Sequence, residues 1–221
     1  MEPLERFLAF PIQQIPYVVI TLLIAFTVHE FAHAYTAYKF GDETAKMQGR
    51  LTLNPLRHLD PIGTLLIFLA GFGWARPVPV NRFFFKKPRL ASIIVSAAGP
   101  ISNLLMVVIG FTLWYGLANK ILPFEASVQA AQFLTIFVNL NAVLFIFNLL
   151  PIPPLDGYRI IQDLVPVDIP AKMTLYEQFG VIILLVLVLT PLDSYTIQPI
   201  FDIFLPAVVG GIHDIVYQIF I

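Results

Sequence analysis

From Tyr17 to Tyr38 the chain is apolar except for one ionisable cluster, His29-Glu30-Phe31-Ala32-His33. A helix rises about 1.5 Å per residue, so about 20 apolar residues cross the roughly 30 Å hydrocarbon core of a bilayer. Lipid offers no hydrogen-bond partners, so a segment of this kind must satisfy its backbone internally, as a helix. The pattern recurs at Ala91 to Ala118 and Ala131 to Leu150. Gly180 to Thr190, extended back to about Leu175, reads as a fourth span. Ile200 to Phe220, which carries Asp202, His213 and Asp214, reads as a fifth. Composition closes the alternatives. The chain is 58% hydrophobic and 12% charged, against about 45–50% and about 25% for a soluble domain. An ordinary cytosolic domain, a disordered chain and a coiled coil are excluded. The expected fold is an all-α polytopic membrane protein of about five transmembrane helices, forming one membrane-embedded domain over residues 1–221.

Short segments complicate the simple bundle. Pro61 to Trp74 is apolar but brief, and a run of that length is re-entrant or interfacial more often than spanning. Pro77-Val78-Pro79-Val80 is expected to be extended, because proline blocks helix there. An extended or re-entrant segment is therefore expected at about 50–80. If 61–74 returns to the side it left, the loops at 39–60, 76–90 and 151–178 share one side and hold eleven of the thirteen Lys and Arg. Arg6 and Lys120 lie opposite. If the segment spans, the split falls to eight against five. The excess of basic residues in cytoplasmic loops favours the first arrangement and puts the loop after the first span in the cytoplasm. Met1 to Pro16 lacks the charged start and apolar stretch of a signal peptide. The absence of cysteine removes disulfides, thiolate catalysis and cysteine metal sites.

The cluster in the first span carries the chemistry. His29 and His33 are four apart and so share a helix face, one turn from each other. Two imidazoles so placed can bind one Zn²⁺, and Glu30, about 100° round the helix, can reach the attacking water as general base. With four His and six Glu in the chain, a shuffled sequence would contain HExxH roughly once in 700 trials. His29 lies roughly 15 Å along the helix from Lys39. Ionisable groups that deep are costly and need a partner, which a divalent cation supplies.

Zinc needs a third protein ligand and an open position. Asp156 stands in Asn148-Leu149-Leu150-Pro151-Ile152-Pro153-Pro154-Leu155-Asp156-Gly157. Its prolines force extended backbone directly after the third span, and such backbone at membrane depth must be buried or line a cavity. The spacing alone leaves two readings open: Asp156 is a metal ligand, or it caps a helix beginning near Tyr158.

An HExxH in a transmembrane helix, followed after a later span by this Asn-x-x-Pro-x-Pro-x-x-Asp-Gly-like segment, resembles the site-2 protease family of intramembrane zinc metalloproteases. Gly49-Arg50-Leu51-Thr52-Leu53-Asn54-Pro55, Gly73-Trp74-Ala75-Arg76-Pro77-Val78-Pro79-Val80 and Ala98-Gly99-Pro100-Ile101-Ser102-Asn103 fit the same pattern. The likeness covers about residues 17–160. It implies zinc on His29, His33 and Asp156, Glu30 as catalytic base, and Asn148 near substrate. It also implies a single-span transmembrane protein as substrate, and the pattern looks like the short bacterial or archaeal form, without a PDZ or nucleotide-sensing domain.

Other residues carry plainer expectations. Ser92, Ser96, Gly99 and Asn103 share a helix face suited to close packing, with Asn103 also a candidate to face the substrate cavity. Asn141 and Asn148 share a face of the third span. His58 is expected at the interface, as a reserve ligand, and His213 with Asp214 at a helix end, without a role. Arg82, Lys86, Lys87 and Arg89 with Phe83-Phe84-Phe85 suit an anionic lipid surface rather than nucleic acid, and Gly71-Phe72-Gly73 is no dinucleotide fingerprint. The extended stretches near Val78 and Pro151 to Pro154 are expected to pair with an unwound substrate strand. The expected function is cleavage of transmembrane segments at a prokaryotic cell membrane, with any regulatory membrane partner unidentified. The rival is a metal transporter or sensor using the same histidines without hydrolysis, which predicts internal repeats that the sequence does not show.

Overall fold

A computed structural model describes residues 9–70, 73–119, 121, 127–166 and 170–220. Arg6, Lys120, Gly71, Phe72 and the start of the chain, on which expectations were placed above, lie outside them. The described residues form helices α1 (Ile15–Lys39), α2 (Thr44–Met47), α3 (Pro61–Ala70), α4 (Pro88–Ala118), α5 (Val128–Asn148), α6 (Asp156–Leu164), α7 (Pro170–Leu189), α8 (Asp193–Thr196) and α9 (Gln198–Phe220). Among the described residues four helical stretches are long and apolar enough to cross a membrane: Ile12–Lys39, Pro88–Ala118, Val128–Asn148 and Gln198–Phe220. The chain is an integral membrane protein of the expected all-α class.

The segment expected as a fourth span is helix α7, whose stretch Tyr176–Leu189 is apolar but, among the described residues, shorter than the four crossing stretches. Leu184 of α7 and Ile197, just before α9, share a buried cluster with Leu150 and Leu155 at the end of α5. Further along α9, Leu205, Val208, Val209 and Ile212 pack on Val107, Val138 and Ala142, and His213 reaches Tyr115 near the end of α4. So α9 starts beside the end of α5 and runs alongside α4. His213 is interior to α9, hydrogen-bonded to Tyr115 at 2.6 Å, not at a helix end.

The short apolar segment behaves as a re-entrant element. α3 has ten residues, about 15 Å of helix, too little to cross. Leu59 before it and Ala75 after it pair as an isolated antiparallel bridge, so the chain returns beside its point of departure. Ile67 and Ala75 pack on Val18, Leu22 and Phe26 of α1. Residues 76–81 then run without helix, as the prolines dictate. Buried Arg50 donates to the carbonyl of Arg76 at 2.6 Å and pins this returning strand. The core of the molecule lies where α1, α4 and α5 meet, and α6 closes it against α4.

Candidate metal centre

His29 and His33 sit one turn apart on α1, both buried. Asp156 reaches them from the far side of the bundle. Leu155 takes the extended N-cap conformation (φ −67°, ψ 159°) and Asp156 is the first residue of α6. The reading of Asp156 as cap of a helix near Tyr158 therefore falls: the helix begins at Asp156 itself, and no side chain caps it. Its carboxylate turns to α1, with Oδ2 at 3.2 Å from Nε2 of His29 and 3.2 Å from Nε2 of His33. The two Nε2 atoms are 3.0 Å apart. A tetrahedral zinc with ligands at about 2.0–2.1 Å holds them about 3.3 Å from each other. The triangle thus fits a zinc ion. Burial alone would raise the Asp156 carboxyl; the imidazoles beside it outweigh this and hold it below the ordinary carboxylate range.

The tautomers follow from the outer partners. Nδ1–H of His33 donates to the carbonyl of Val95 at 2.7 Å. Nδ1 of His29 meets Oδ1 of Asn103 at 2.7 Å. The amide orientation of Asn103 is fixed in turn. Asn141 donates Nδ2 to the carbonyl of Phe137 at 2.8 Å, which can only accept. Its Oδ1 must then accept, and Asn103 Nδ2 donates to it at 3.0 Å. Asn103 is left with oxygen towards His29, so His29 Nδ1 carries the proton and both Nε2 lone pairs face the triangle. Asn103 is fully buried behind His29; it does not line the cavity wall expected for it.

Gly99 makes the space. A Cβ there would collide with Nε2 of His33 and approach Nε2 of His29 to 2.6 Å. The close packing expected on this face of α4 is thus an approach to the two histidines rather than to an unrelated helix. Ser92 and Ser96 do more than pack: they line the cavity beside the centre.

Glu30 is buried and points to the returning strand. The N–H of Val78 donates to its Oε2 at 2.7 Å. One carboxylate oxygen is thereby held and the group is aimed. The same bond occupies the Val78 N–H, which is not available to a substrate strand as expected above, and Pro77 and Pro79 have none to offer.

These groups open into one cavity of about 730 Å³, walled by α1, the strand at 73–80, α4, the turn before α6 and α7. Asn148 lines it, while its Nδ2 donates to Leu144 within α5 at 2.9 Å. A second cavity of about 390 Å³ shares the walls Phe26, Gly73, Leu144 and Phe147. His58 is away from the centre. It is fully buried rather than interfacial, with Nε2 donating to the carbonyl of Thr52 at 2.8 Å. Arg82 and Arg89, expected at the lipid surface, instead hold α6: Arg82 pairs with Asp163 at 2.6 Å and Arg89 donates to the carbonyls of Asp163 and Val165. Phe83 is almost fully exposed, as an interfacial aromatic would be. The sequence reading missed the roles of Val95, Val78 and Asn141. Only Asn141 left a signal, as a polar side chain inside a span, which must find a partner.

Residues 120–189 match Peptidase family M50. Over 204 residues the chain is 59% identical to the Bacillus subtilis (strain 168) protein named "Putative zinc metalloprotease YwhC", across 90% of this chain and 92% of that one. It is 34% identical over 177 residues to "Putative zinc metalloprotease Rip2" of Mycobacterium tuberculosis (strain ATCC 25618 / H37Rv), across 76% of this chain and 65% of that protein. No solved structure gives a significant match. A relative so similar over nearly its whole length, joined to a His-His-Asp cluster set among membrane helices, means that this chain belongs to peptidase family M50, the site-2 proteases.

Proposed function

We propose that the chain is an intramembrane zinc endopeptidase that cuts transmembrane segments of single-span membrane proteins. One observation carries the reading: His29, His33, Asp156 and Glu30 line the same largely apolar cavity, and that cavity lies among helices suited to a bilayer. His29, His33 and Asp156 would hold the zinc, which when bound supplies Lewis acidity, acidifying water and polarising a carbonyl.

The chain's own residues do the rest. Asn103 and the Val95 carbonyl keep both imidazoles in the tautomer that offers Nε2. Glu30, held through one oxygen by Val78, takes a proton from the attacking water and returns it to the leaving amine. Asn148, on the cavity wall, would meet the substrate backbone. A helical substrate must unwind before its carbonyls can be attacked, since each is hydrogen-bonded within the helix. The apolar cavity and its neighbour give the unwound apolar side chains a dry place to go. The excess of basic residues in the loop after α1 supports a cytoplasmic side for it, in a prokaryotic cell membrane.

The test compares the purified chain with Glu30→Gln for zinc content and for cleavage of a single-span substrate in vesicles. About one zinc per chain in both, with cleavage only in the native protein, is the expected result. Zinc in both, no cleavage by either and metal flux across the vesicle retained in Glu30→Gln would replace the protease by a transporter.

A further inference from the structure

Four charged side chains line the main cavity: Glu30, Arg82, Asp156 and Arg159. Three are engaged. Glu30 accepts from Val78, Asp156 faces the two histidines, and Arg82 is paired with Asp163. Arg159 has no side-chain hydrogen bond or ion pair to any described residue. Its natural intrahelical partner is Asp163, four residues on, the spacing at which opposite charges on a helix pair. Oδ1 of that carboxylate is taken by Arg82 at 2.6 Å and the carbonyl of Asp163 by Arg89, while its Oδ2 is buried and meets no donor among the described residues, Arg159 included. The Arg159 guanidinium is exposed at the cavity wall, where, among the described residues, only the more distant charge of Asp163 attracts it, so it is available to pair with an anion that a substrate brings in.

The position of Arg159 says which anion. It follows Asp156 by three residues, so it lies on nearly the same face of α6, about 4.5 Å further along the axis. A substrate crossing the metal centre in extended form covers about 3.3 Å per residue. Arg159 therefore comes within reach of a side chain about two to four residues from the scissile bond, on the α6 side. A guanidinium is built to hold a carboxylate through paired N–H donors.

We infer that Arg159 is a specificity residue, reading an Asp or Glu in the substrate a few residues from the cut, on the α6 flank. This rests on the protease reading above. The reaction needs the substrate unwound at that point, and an acidic residue near the membrane surface both weakens insertion of that end and supplies the anchor.

The experiment uses the zinc-loaded full chain in neutral phosphatidylcholine vesicles and a single-span substrate in which Asp, Asn or Lys is scanned through the eight positions on the α6 side of the cut. The native chain is expected to cut the Asp form about tenfold faster than the Asn form at one or two positions. The ratio falls to about one in Arg159→Gln, is partly kept in Arg159→Lys, and in Arg159→Glu inverts in favour of Lys at the same position. Zinc content checks that each variant is folded. Cleavage indifferent to charge at every position, or an Asp preference that survives Arg159→Gln, overturns the inference and leaves the protease intact. Cleavage that responds to Arg159 only when anionic phosphatidylglycerol is added, whatever the substrate charge, assigns the guanidinium to lipid phosphate and also overturns it. No cleavage of any substrate by the native chain removes the protease reading itself, and this inference with it.

Discussion

Oδ1 of Asn103 on α4 lies 2.7 Å from Nδ1 of His29 on α1, and both residues are buried. The contact ties the metal-facing edge of one helix to the amide of another, and Asn141 on α5 fixes that amide. Three helices thus set one tautomer. Removing an outer partner of a metal-binding histidine costs about 10–100-fold in metal affinity. Asn103→Ala is expected to weaken zinc binding by that factor, and Asn141→Leu by less, because Asn103 can still accept from His29. Competition with a chromophoric chelator measures both; unchanged affinity in Asn103→Ala would sink the relay.

Gly99 and Gly210 make a paired comparison. A methyl at Gly99 meets the two Nε2 atoms, whereas nothing lies within 4 Å of one at Gly210 in α9. Gly99→Ala is expected to lose stoichiometric zinc. Gly210→Ala is expected to keep it and to gain stability by about 0.5–1 kcal/mol from helix propensity. Metal analysis with thermal unfolding in detergent reads both effects, and a zinc-replete Gly99→Ala contradicts the geometry.

Val78→Pro removes the N–H that holds Glu30 without disturbing an extended backbone already flanked by Pro77 and Pro79. The expected result is retained zinc and a drop in kcat of about 10–100-fold, since general base catalysis contributes about 10²–10⁴-fold and misaiming forfeits part of it. Val78→Ala, which keeps the N–H, is expected to stay close to native. Val80→Pro separately tests whether a substrate strand pairs along this edge.

Arg82→Ala leaves the buried carboxylate of Asp163 without its ion-pair partner. Burial already raises the Asp163 carboxyl above its ordinary range, and Arg82 is the main opposing influence. A carboxyl raised in the folded state favours folding when protonated and costs stability as pH rises through its folded pKa. Loss of Arg82 enlarges that cost. The stability deficit of Arg82→Ala is therefore expected to be small near pH 4 and to grow towards pH 7, reaching about 1–2 kcal/mol once the exposure of Arg82 is allowed for. Unfolding midpoints across this pH range check the sign; a deficit that shrinks with pH refutes it.

Much of the site was legible because its signals are local. HExxH needs only helical spacing to put His29 and His33 on one face with Glu30 beside them. Asp156 was half legible: the prolines before it announced an ordered turn, but spacing could not separate ligand from cap. Asn103 was half legible too: its face of α4 is visible in the sequence while the depth of that face behind His29 is not. His58 was misplaced for a similar reason. A histidine among polar residues reads as surface, and only the return of the chain from α3 buries it.

The sequence by itself determined that the chain enters a bilayer as apolar helices, and that one of them carries a two-histidine metal face. These follow from hydropathy and from a period of 3.6 residues, which act over one or two turns. The tertiary structure alone decided which third ligand closes the triangle, which tautomers face it, what aims Glu30, and that Arg82 rather than Arg159 claims Asp163. Each of those depends on contacts between residues 48 to 123 positions apart, and no local periodicity encodes a distance across packed helices.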